Sequence, residues 1–388
     1  MEDISHPKAV VCFPFVGDVL AGSHISALGL VKNLAPTGFQ PLVVLHKPEG
    51  PLAELLTREN VTFVPAPMAD TPERMSPRNG AAVASVLRLL PSLVRFLRNN
   101  KVAVVHTNDG RAHIIWGLAA KLAGAKLLWH HRGDPDSFGL RYLAPWLADS
   151  VVSVSKFASP RPGLLSAARK CTVIHSPFDL QMPDQFDRAA CRERVLAELQ
   201  CPPDTKLLGY VGSLVERKRP LLFVDTLAAL SKHSPNEKFI GLLLGNSFNG
   251  LDELCRARAE SLGVSDKIRL LGFRYPGEPW MAALDALLVP AVNEPLGRTL
   301  VEAMLLGTPV IATRSGGNPE AIRHNETGVL VEPEDPVAFA RAIAELFQHP
   351  DRVTSMVGRA RADAHERFGA ARHVTSVTQT YDNLLRPQ

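Results

Sequence analysis

Short, uniformly apolar runs that alternate with segments of helical period restrict this chain more than any other feature. Apolar runs lie at 9–15, 40–45, 61–65, 102–106, 125–129 and 150–154, and the segments 24–33, 81–99 and 114–122 between them carry apolar residues at helical spacing. A strand that is apolar on both faces must be covered on both faces. Strands separated by helices pair in parallel through crossovers. The alternation falters at 176–185, where Pro177 and Pro183 stand among polar residues, which reads as an interdomain linker. A second set follows, with strands at 207–211, 239–244, 268–271, 286–290, 309–312 and 329–331 and helices at 221–232, 251–262, 280–283 and 299–306. The pattern predicts an α/β protein of two doubly wound, Rossmann-like domains facing across a cleft. The boundaries are 1–178 and 179–370, with a C-terminal helix over about 371–388 that packs back on the first domain. At 388 residues the length suits two domains.

Composition removes several classes of function. The net charge of +4 is not gathered into Lys/Arg blocks, so no nucleic-acid arm is expected. Five scattered cysteines without C-x-x-C spacing argue against a disulfide framework or a zinc knuckle, and a reducing, cytoplasmic setting follows as the expectation. The opening residues Met1–Lys8 are polar and do not read as a signal peptide, and no apolar stretch reaches the roughly 18 residues of a membrane span. The segment 81–99, with Arg88, Arg95 and Arg98 among leucines and valines, carries two readings. One is a helix lying peripherally on anionic lipid at the inner membrane face. The other, favoured, is a core-facing helix with a basic edge, interrupted at Pro91.

The chemistry concentrates in Glu294-Pro-Leu296-Gly297-Arg298-Thr299-Leu-Val-Glu302, followed by Ala-Met-Leu-Leu-Gly-Thr-Pro-Val. A strand ends near Pro290, a glycine turn follows, and a helix opens between Gly297 and Thr299. Free backbone N–H groups and the positive end of the helix dipole make that opening a site for a diphosphate. Glu294 is placed to accept hydrogen bonds from sugar hydroxyls and Glu302 from ribose hydroxyls. Taken alone, both read more readily as solvated surface charges. Upstream, Tyr210-Val-Gly212-Ser213-Leu-Val-Glu-Arg217-Lys218-Arg219-Pro220 sets three cations between a strand and a helix, where they can neutralise a departing pyrophosphate.

This order of motifs resembles the donor site of retaining glycosyltransferases of family 4 (glycosyl transferases group 1), which have the GT-B fold. Two glutamates with seven residues between them, then Ala-Met and Gly-Thr-Pro-Val, carry the resemblance, and Arg314-Ser-Gly316-Gly317-Asn-Pro-Glu320 and Gly328-Val-Leu-Val continue it. In the family's Gly-Arg-Leu…Lys-Gly pattern Lys218 matches the lysine, while Ser213 replaces the arginine and Arg219 the glycine. Whether Arg217 supplies the missing charge stays open. The resemblance implies phosphate-binding roles for Gly22, Arg217, Lys218, Leu296, Gly297, Arg298 and Thr299. Phe273 and Arg274, in a loop that cups the base, join Glu302 in binding the nucleotide; Phe273 is alternatively a core residue. At Trp129-His130-His131-Arg132 a histidine of the family faces the transferred sugar. His131 is favoured and His130 held in reserve, because neighbours on a strand point to opposite faces. The catalytic set is then His131, His130 and Glu294. Val105-His106-Thr107-Asn108 resembles the family's strand-end motif.

The function so implied is transfer of a sugar, with retention, from a nucleoside-diphosphate sugar to an acceptor glycan, lipid or small molecule. A lipid-linked or cell-surface glycan precursor is one such acceptor. No cofactor and no metal is expected; the nucleotide sugar is a co-substrate. A nucleotide-sugar epimerase of the same fold and a non-catalytic sugar-binding protein are the alternatives.

Overall fold

The computed structural model describes residues 9–17, 22–68, 80–178 and 186–387. The chain divides into two compact units, residues 1–177 with 370–388 and residues 178–369. The expected linker falls mostly at 179–185, outside the described residues.

Unit 1 runs β1 (Ala9–Phe15), α1 (Gly22–Lys32), β2 (Phe39–Leu45), α2 (Pro51–Arg58), β3 (Phe63–Pro65), α3 (Gly80–Asn99), β4 (Val102–Thr107), α4 (Gly110–Ala123), β5 (Lys126–His131), α5 (Ala144–Leu147), β6 (Ser150–Ser153) and β7 (Cys171–Val173). Its strands pair in parallel in the order β3-β2-β1-β4-β5-β6-β7. The direction of winding reverses between β1 and β4. Helix α4 shows how local chemistry sets the boundaries. The Asp109 carboxylate accepts from the N–H groups of Arg111 and Ala112, and Gly124, at φ +84°, ends the helix in the left-handed region.

Unit 2 runs α6 (Arg188–Glu198), β8 (Lys206–Val211), α7 (Pro220–His233), β9 (Phe239–Leu244), α8 (Leu251–Ser261), β10 (Ile268–Gly272), α9 (Glu278–Ala283), β11 (Ala286–Val289), α10 (Arg298–Leu306), β12 (Val310–Thr313), α11 (Asn318–Ala321), β13 (Val329–Val331), α12 (Pro336–Gln348) and α13 (Pro350–Phe368). Its parallel sheet has the order β10-β9-β8-β11-β12-β13, with the reversal between β8 and β11. The alternation read from the sequence ends at β13, and the structure adds α12 and α13 beyond it. The last helix, α14 (Ala370–Leu385), belongs to unit 1. Its Val374, Val377 and Tyr381 join the core around Phe13 and Phe39, and the Tyr381 ring meets Phe39 edge-on at 5.2 Å.

Helix α3 departs from the sequence reading in one respect. It continues through Pro91. Proline removes one backbone hydrogen bond and crowds the carbonyl one turn earlier, at Leu87. Both residues are exposed, so water can serve the freed carbonyl. The face carrying Val86, Leu93 and Leu97 is buried in the core of unit 1, which is the core-facing packing favoured from the sequence. Among the described residues no helix is long and apolar enough to cross a membrane. Leu93→Ala should therefore destabilise unit 1 by about 2–5 kcal/mol, while Arg95→Ser should change stability by less than about 0.5 kcal/mol. Urea unfolding of the two variants checks the contrast.

Candidate functional site

In unit 2 a small pocket of about 20 Å³ lies at the reversal point of the sheet. The carboxyl ends of β8 (Tyr210, Val211) and β11 (Leu288, Val289) line it together with Lys218, Glu294, Gly297 and Thr299. Ligands of open α/β sheets bind at this location, because the loops from adjacent strands part in opposite directions there. Lys218 and Glu294, 76 positions apart in the numbering, meet at it.

The helix end that opens the pocket is α10. Gly297 is its N-cap and offers no side-chain acceptor to the first turn. The amide of Thr299 and the helix dipole therefore remain available to an anion. Lys218 reaches the same place from the 3-10 turn Glu216–Lys218. Its Nζ lies over Gly212, where an added Cβ would come within 2.8 Å of it, and Gly212 has φ +144°. No carboxylate among the described residues forms an ion pair with Lys218. A cation beside an uncapped helix end is chemistry that fits phosphate.

Glu294 is held from two sides. Its carboxylate is paired with Arg217, and the backbone N–H of Val292 donates to the carbonyl of Arg217 at 2.9 Å. From the other side, the loop after β12 presses its backbone onto the Glu294–Pro295 segment. Gly316 has φ +60°, and a Cβ there would lie 2.4 Å from the carbonyl oxygen of Glu294. A Cβ on Gly317 would lie 2.1 Å from that of Pro295. The Gly317 N–H donates to the Glu294 carbonyl at 2.7 Å. Only glycine permits this approach. Asn318 ties the same loop to Thr313, and its Oδ1 is buried without a partner about 3.6 Å from where a Cβ on Gly297 would sit.

The remaining expected donor residues occupy definite places. Leu296 is buried beneath the loop, and Arg298 pairs with Glu302 at 3.2 Å one turn along α10 while covering the ring of Phe178. Glu302 is therefore engaged within its own helix. Arg219, which stands where the family motif has glycine, takes φ +53° and pairs with Glu334 at 2.6 Å. The motif's glycine is thus the conformational requirement of that turn, met here by an arginine. Phe273 is 63% exposed, which overturns its reading as a core residue. Arg274 beside it lies over Trp280 and within 3.6 Å of Glu198. Tyr210, which the sequence reading did not single out, donates its hydroxyl to the Ser213 carbonyl at 3.1 Å, and burial raises its pKa.

In unit 1, Gly22 is the first residue of α1, and residues 18–21 before it lie outside the described residues. His130 and His131 both belong to β5 and have different surroundings. His131 is 5% exposed and its Nε2 meets the Asp134 carbonyl at 2.9 Å, so Nε2 donates and Nδ1 is the basic nitrogen. His130 is fully enclosed. Its Nδ1 lies 3.0 Å from His106 Nε2 and 3.3 Å from Arg132 Nη2. An arginine can only donate, so that Nδ1 accepts and the His130 proton sits on Nε2, which is buried without a partner. His106 in turn lies 2.5 Å from the Tyr381 hydroxyl of α14, and His373 of the same helix stacks beside His130 at 5.9 Å. Arg132 also donates to Asn108 and Ser176. This network escaped the sequence reading, since no local pattern links β4, β5 and a helix more than 240 residues onward.

Residues 205–349, all within unit 2, match the family model described as glycosyl transferases group 1. A D-inositol 3-phosphate glycosyltransferase of Corynebacterium glutamicum is 34% identical over 203 residues, 51% of this chain and 48% of that protein. Its counterpart in Corynebacterium jeikeium is 38% identical over 170 residues, 42% of this chain and 40% of that one. The chain thus spans about half the length of the curated relatives it matches or less. Two solved structures match the whole fold. Anabaena HepE in complex with UDP and glucose has a TM-score of 0.81 at 20% identity, covering 97% of this chain and 100% of that one. A glycosyltransferase from Rickettsia africae has a TM-score of 0.82 at 20% identity, covering 99% and 100%. The fold, two doubly wound α/β units on one chain, is the GT-B fold of these glycosyltransferases.

The histidines of unit 1 make its stability depend on pH. Burial lowers the pKa of His106, His113 and His130 well below the usual value, with the Arg132 charge acting in the same direction. Burial also takes His46 to about 4 and His373 to about 3. Such groups bind protons in the unfolded chain below about pH 6.5 and remain neutral in the folded one, so stability is complete above that pH and falls as the pH drops. For His373 the loss runs from about pH 6.5 down to its folded value of about 3. His373→Gln should remove up to about 1.4 kcal/mol per pH unit from the slope in that window. Urea unfolding of the full chain at stepped pH measures it.

Proposed function

We propose that this chain, whose residues 205–349 belong to the glycosyl transferases group 1 family, transfers a sugar with retention from a nucleoside-diphosphate sugar to an acceptor. The observation that carries the reading is the pocket at the reversal point of unit 2. There the amine of Lys218, which pairs with no carboxylate among the described residues, the carboxylate of Glu294 and the uncapped amide end of α10 converge. A diphosphate supplies the negative charge that Lys218 and the helix end lack, and the sugar it carries offers hydroxyls to Glu294.

In the proposed step the acceptor oxygen bonds to the anomeric carbon while the bond from that carbon to the β-phosphate oxygen breaks on the same face. The leaving phosphate takes the acceptor's proton. Lys218 and the α10 amides stabilise the charge that grows on the diphosphate. Arg217 orients Glu294 through their ion pair, and His131 is assigned to the sugar and acceptor side. Fixed protein charges perform the phosphate neutralisation in this reading, with no metal invoked. Glu302, Phe273 and Arg274 are assigned to the nucleoside. Because Glu302 is paired with Arg298, ribose binding at this site involves exchange of that pair.

The relatives supply the first compounds to try. HepE was solved with UDP and glucose, and the corynebacterial relatives are named for D-inositol 3-phosphate. UDP-glucose is accordingly the first donor and D-inositol 3-phosphate the first acceptor, with lipid-linked glycan precursors next. Lys218→Ala and Glu294→Ala should each abolish transfer while leaving the thermal melt nearly unchanged; a large fall in melting temperature would show the residue to be structural. Product formation on an added acceptor separates this activity from epimerisation. A true donor at 100 times its dissociation constant should stabilise the wild-type chain by about 2.7 kcal/mol, and Lys218→Ala should lose most of that gain. Absence of stabilisation across a panel of nucleotide sugars would remove the reading.

A further inference from the structure

Unit 1 exposes a row of aromatic side chains that neither the core nor the candidate site uses. Phe138, Tyr142 and Trp146 are 44%, 52% and 64% exposed. They follow one another at four-residue intervals along the π-helical turn Gly139–Leu143 and α5. The rings of Phe138 and Tyr142 touch at a centroid distance of 5.1 Å. The residues between them do the structural work. Leu140 and Ala144 are buried in the core of unit 1, so the aromatic row is the outer face of an element whose inner face is already satisfied. An exposed row of three aromatics is costly in water and marks a contact surface.

The charges around the row identify what it contacts. Lys121 donates to the carbonyl of Trp146 at 2.7 Å, and Lys170 donates to the carbonyls of Pro145 and Ala148 at 3.0 and 2.9 Å. Arg141 lies over the Tyr142 ring. Leu122, 51% exposed, extends the apolar surface beside Lys121, and Arg98 donates to its carbonyl at 2.8 Å. Three cations thus rim one apolar aromatic row, each bonded to its backbone or stacked on its rings, and Arg98 adds a fourth at Leu122. At the Phe138 end, the Arg161–Asp136 ion pair at 2.6 Å ties down the loop that carries Leu164, which is 99% exposed. Tryptophan and tyrosine with apolar bodies and polar edges, ringed by Lys and Arg, match the boundary between acyl chains and anionic headgroups. A protein partner would require the cations to meet a fixed set of carboxylates. A phosphate-bearing bilayer meets them in any register.

We infer that unit 1 docks on an anionic lipid surface through Phe138, Tyr142 and Trp146. The aromatic rings enter the headgroup layer, and Arg98, Lys121, Arg141 and Lys170 contact lipid phosphates. The basic helix α3, the candidate from sequence, takes no part with its apolar face. The contact is peripheral and falls off with salt.

Trp146 reports on this surface almost alone. Trp116, Trp129 and Trp280 are 0%, 1% and 6% exposed. The full-length chain is mixed with vesicles of phosphatidylcholine alone or of phosphatidylcholine with phosphatidylglycerol, and fluorescence and co-sedimentation are read. The expected result is a blue shift and pelleting with the phosphatidylglycerol vesicles only, both reversed by salt. Trp146→Phe should abolish the shift while keeping most of the pelleting. Phe138→Ser with Tyr142→Ser should weaken pelleting by at least about tenfold, and Lys121→Glu with Arg141→Glu by a similar factor. Two controls keep the result clear of misfolding and of the proposed activity. Thermal melts of the variants should match the wild type, and nucleotide-sugar stabilisation should be unchanged. No partition into phosphatidylglycerol vesicles at low salt overturns the inference, as does partition that these substitutions leave intact. Concentration-dependent self-association abolished by the same substitutions would assign the row to a second copy of this chain and equally overturn it.

Discussion

The contact of two loop backbones in unit 2 governs the candidate site. The glycine pair Gly316–Gly317 lies against Glu294 and Pro295 at distances that admit no Cβ, and the Gly317 N–H holds the Glu294 carbonyl. Because the loop after β12 is packed onto the loop after β11, the Glu294 carboxylate emerges where Arg217 can meet it. The same packing sets the direction of Gly297, and hence of the first turn of α10. A side chain at either glycine would push the two loops apart. Lys218 would then face a helix end that had moved. The chemistry of the pocket therefore rests on an absence of side chain at two positions as much as on the charged residues that line it.

The two units share one topology and treat charge in opposite ways. Unit 2 brings Lys218, Arg217 and Glu294 to the rim of its reversal point, where water or a ligand can balance them. Unit 1 buries histidines beside its central strands and holds them neutral by desolvation. There, α14 completes the network: Tyr381 faces His106, and His373 stacks on His130. Removing the last helix would expose the fully enclosed His130. The C-terminal segment thus supports the interior of the first unit, at the far end of the chain from it.

Surface amphipathicity illustrates how a pattern can be real and leave its partner to be decided by packing. Helix α3 has apolar and basic faces, and the apolar one is spent on the core around Leu93 and Leu97. The row Phe138, Tyr142 and Trp146 has a weaker pattern in the sequence because a π-helical turn interrupts the ordinary period. The outer face of that row is what remains uncovered. Periodicity reports that a face exists, and only packing shows what lies against it.

Alternating apolar runs and helical segments were sufficient to read two parallel α/β units. β1 and β9 were read to the residue, and α10 to within one residue of its start. The composition of a strand buried on both faces is dictated locally, so it survives in the sequence. The motif residues Glu294, Lys218, Gly297 and Thr299 were legible for the same reason: a turn, a helix start and a strand end each have local signatures. What the sequence alone could not decide was which side chains meet. The Arg217–Glu294 pair, the seat of the Lys218 amine over Gly212, the left-handed Arg219 and the exposure of Phe273 all follow from how distant loops converge. The side chains by which α14 meets unit 1, Tyr381 on His106 and His373 on His130, and the burial of His130 depend on contacts across more than 240 residues of chain. Local propensity encodes the elements. Contacts between residues far apart in the chain carry no periodic signal, and those contacts set the ionisation of the histidines and the geometry of the pocket.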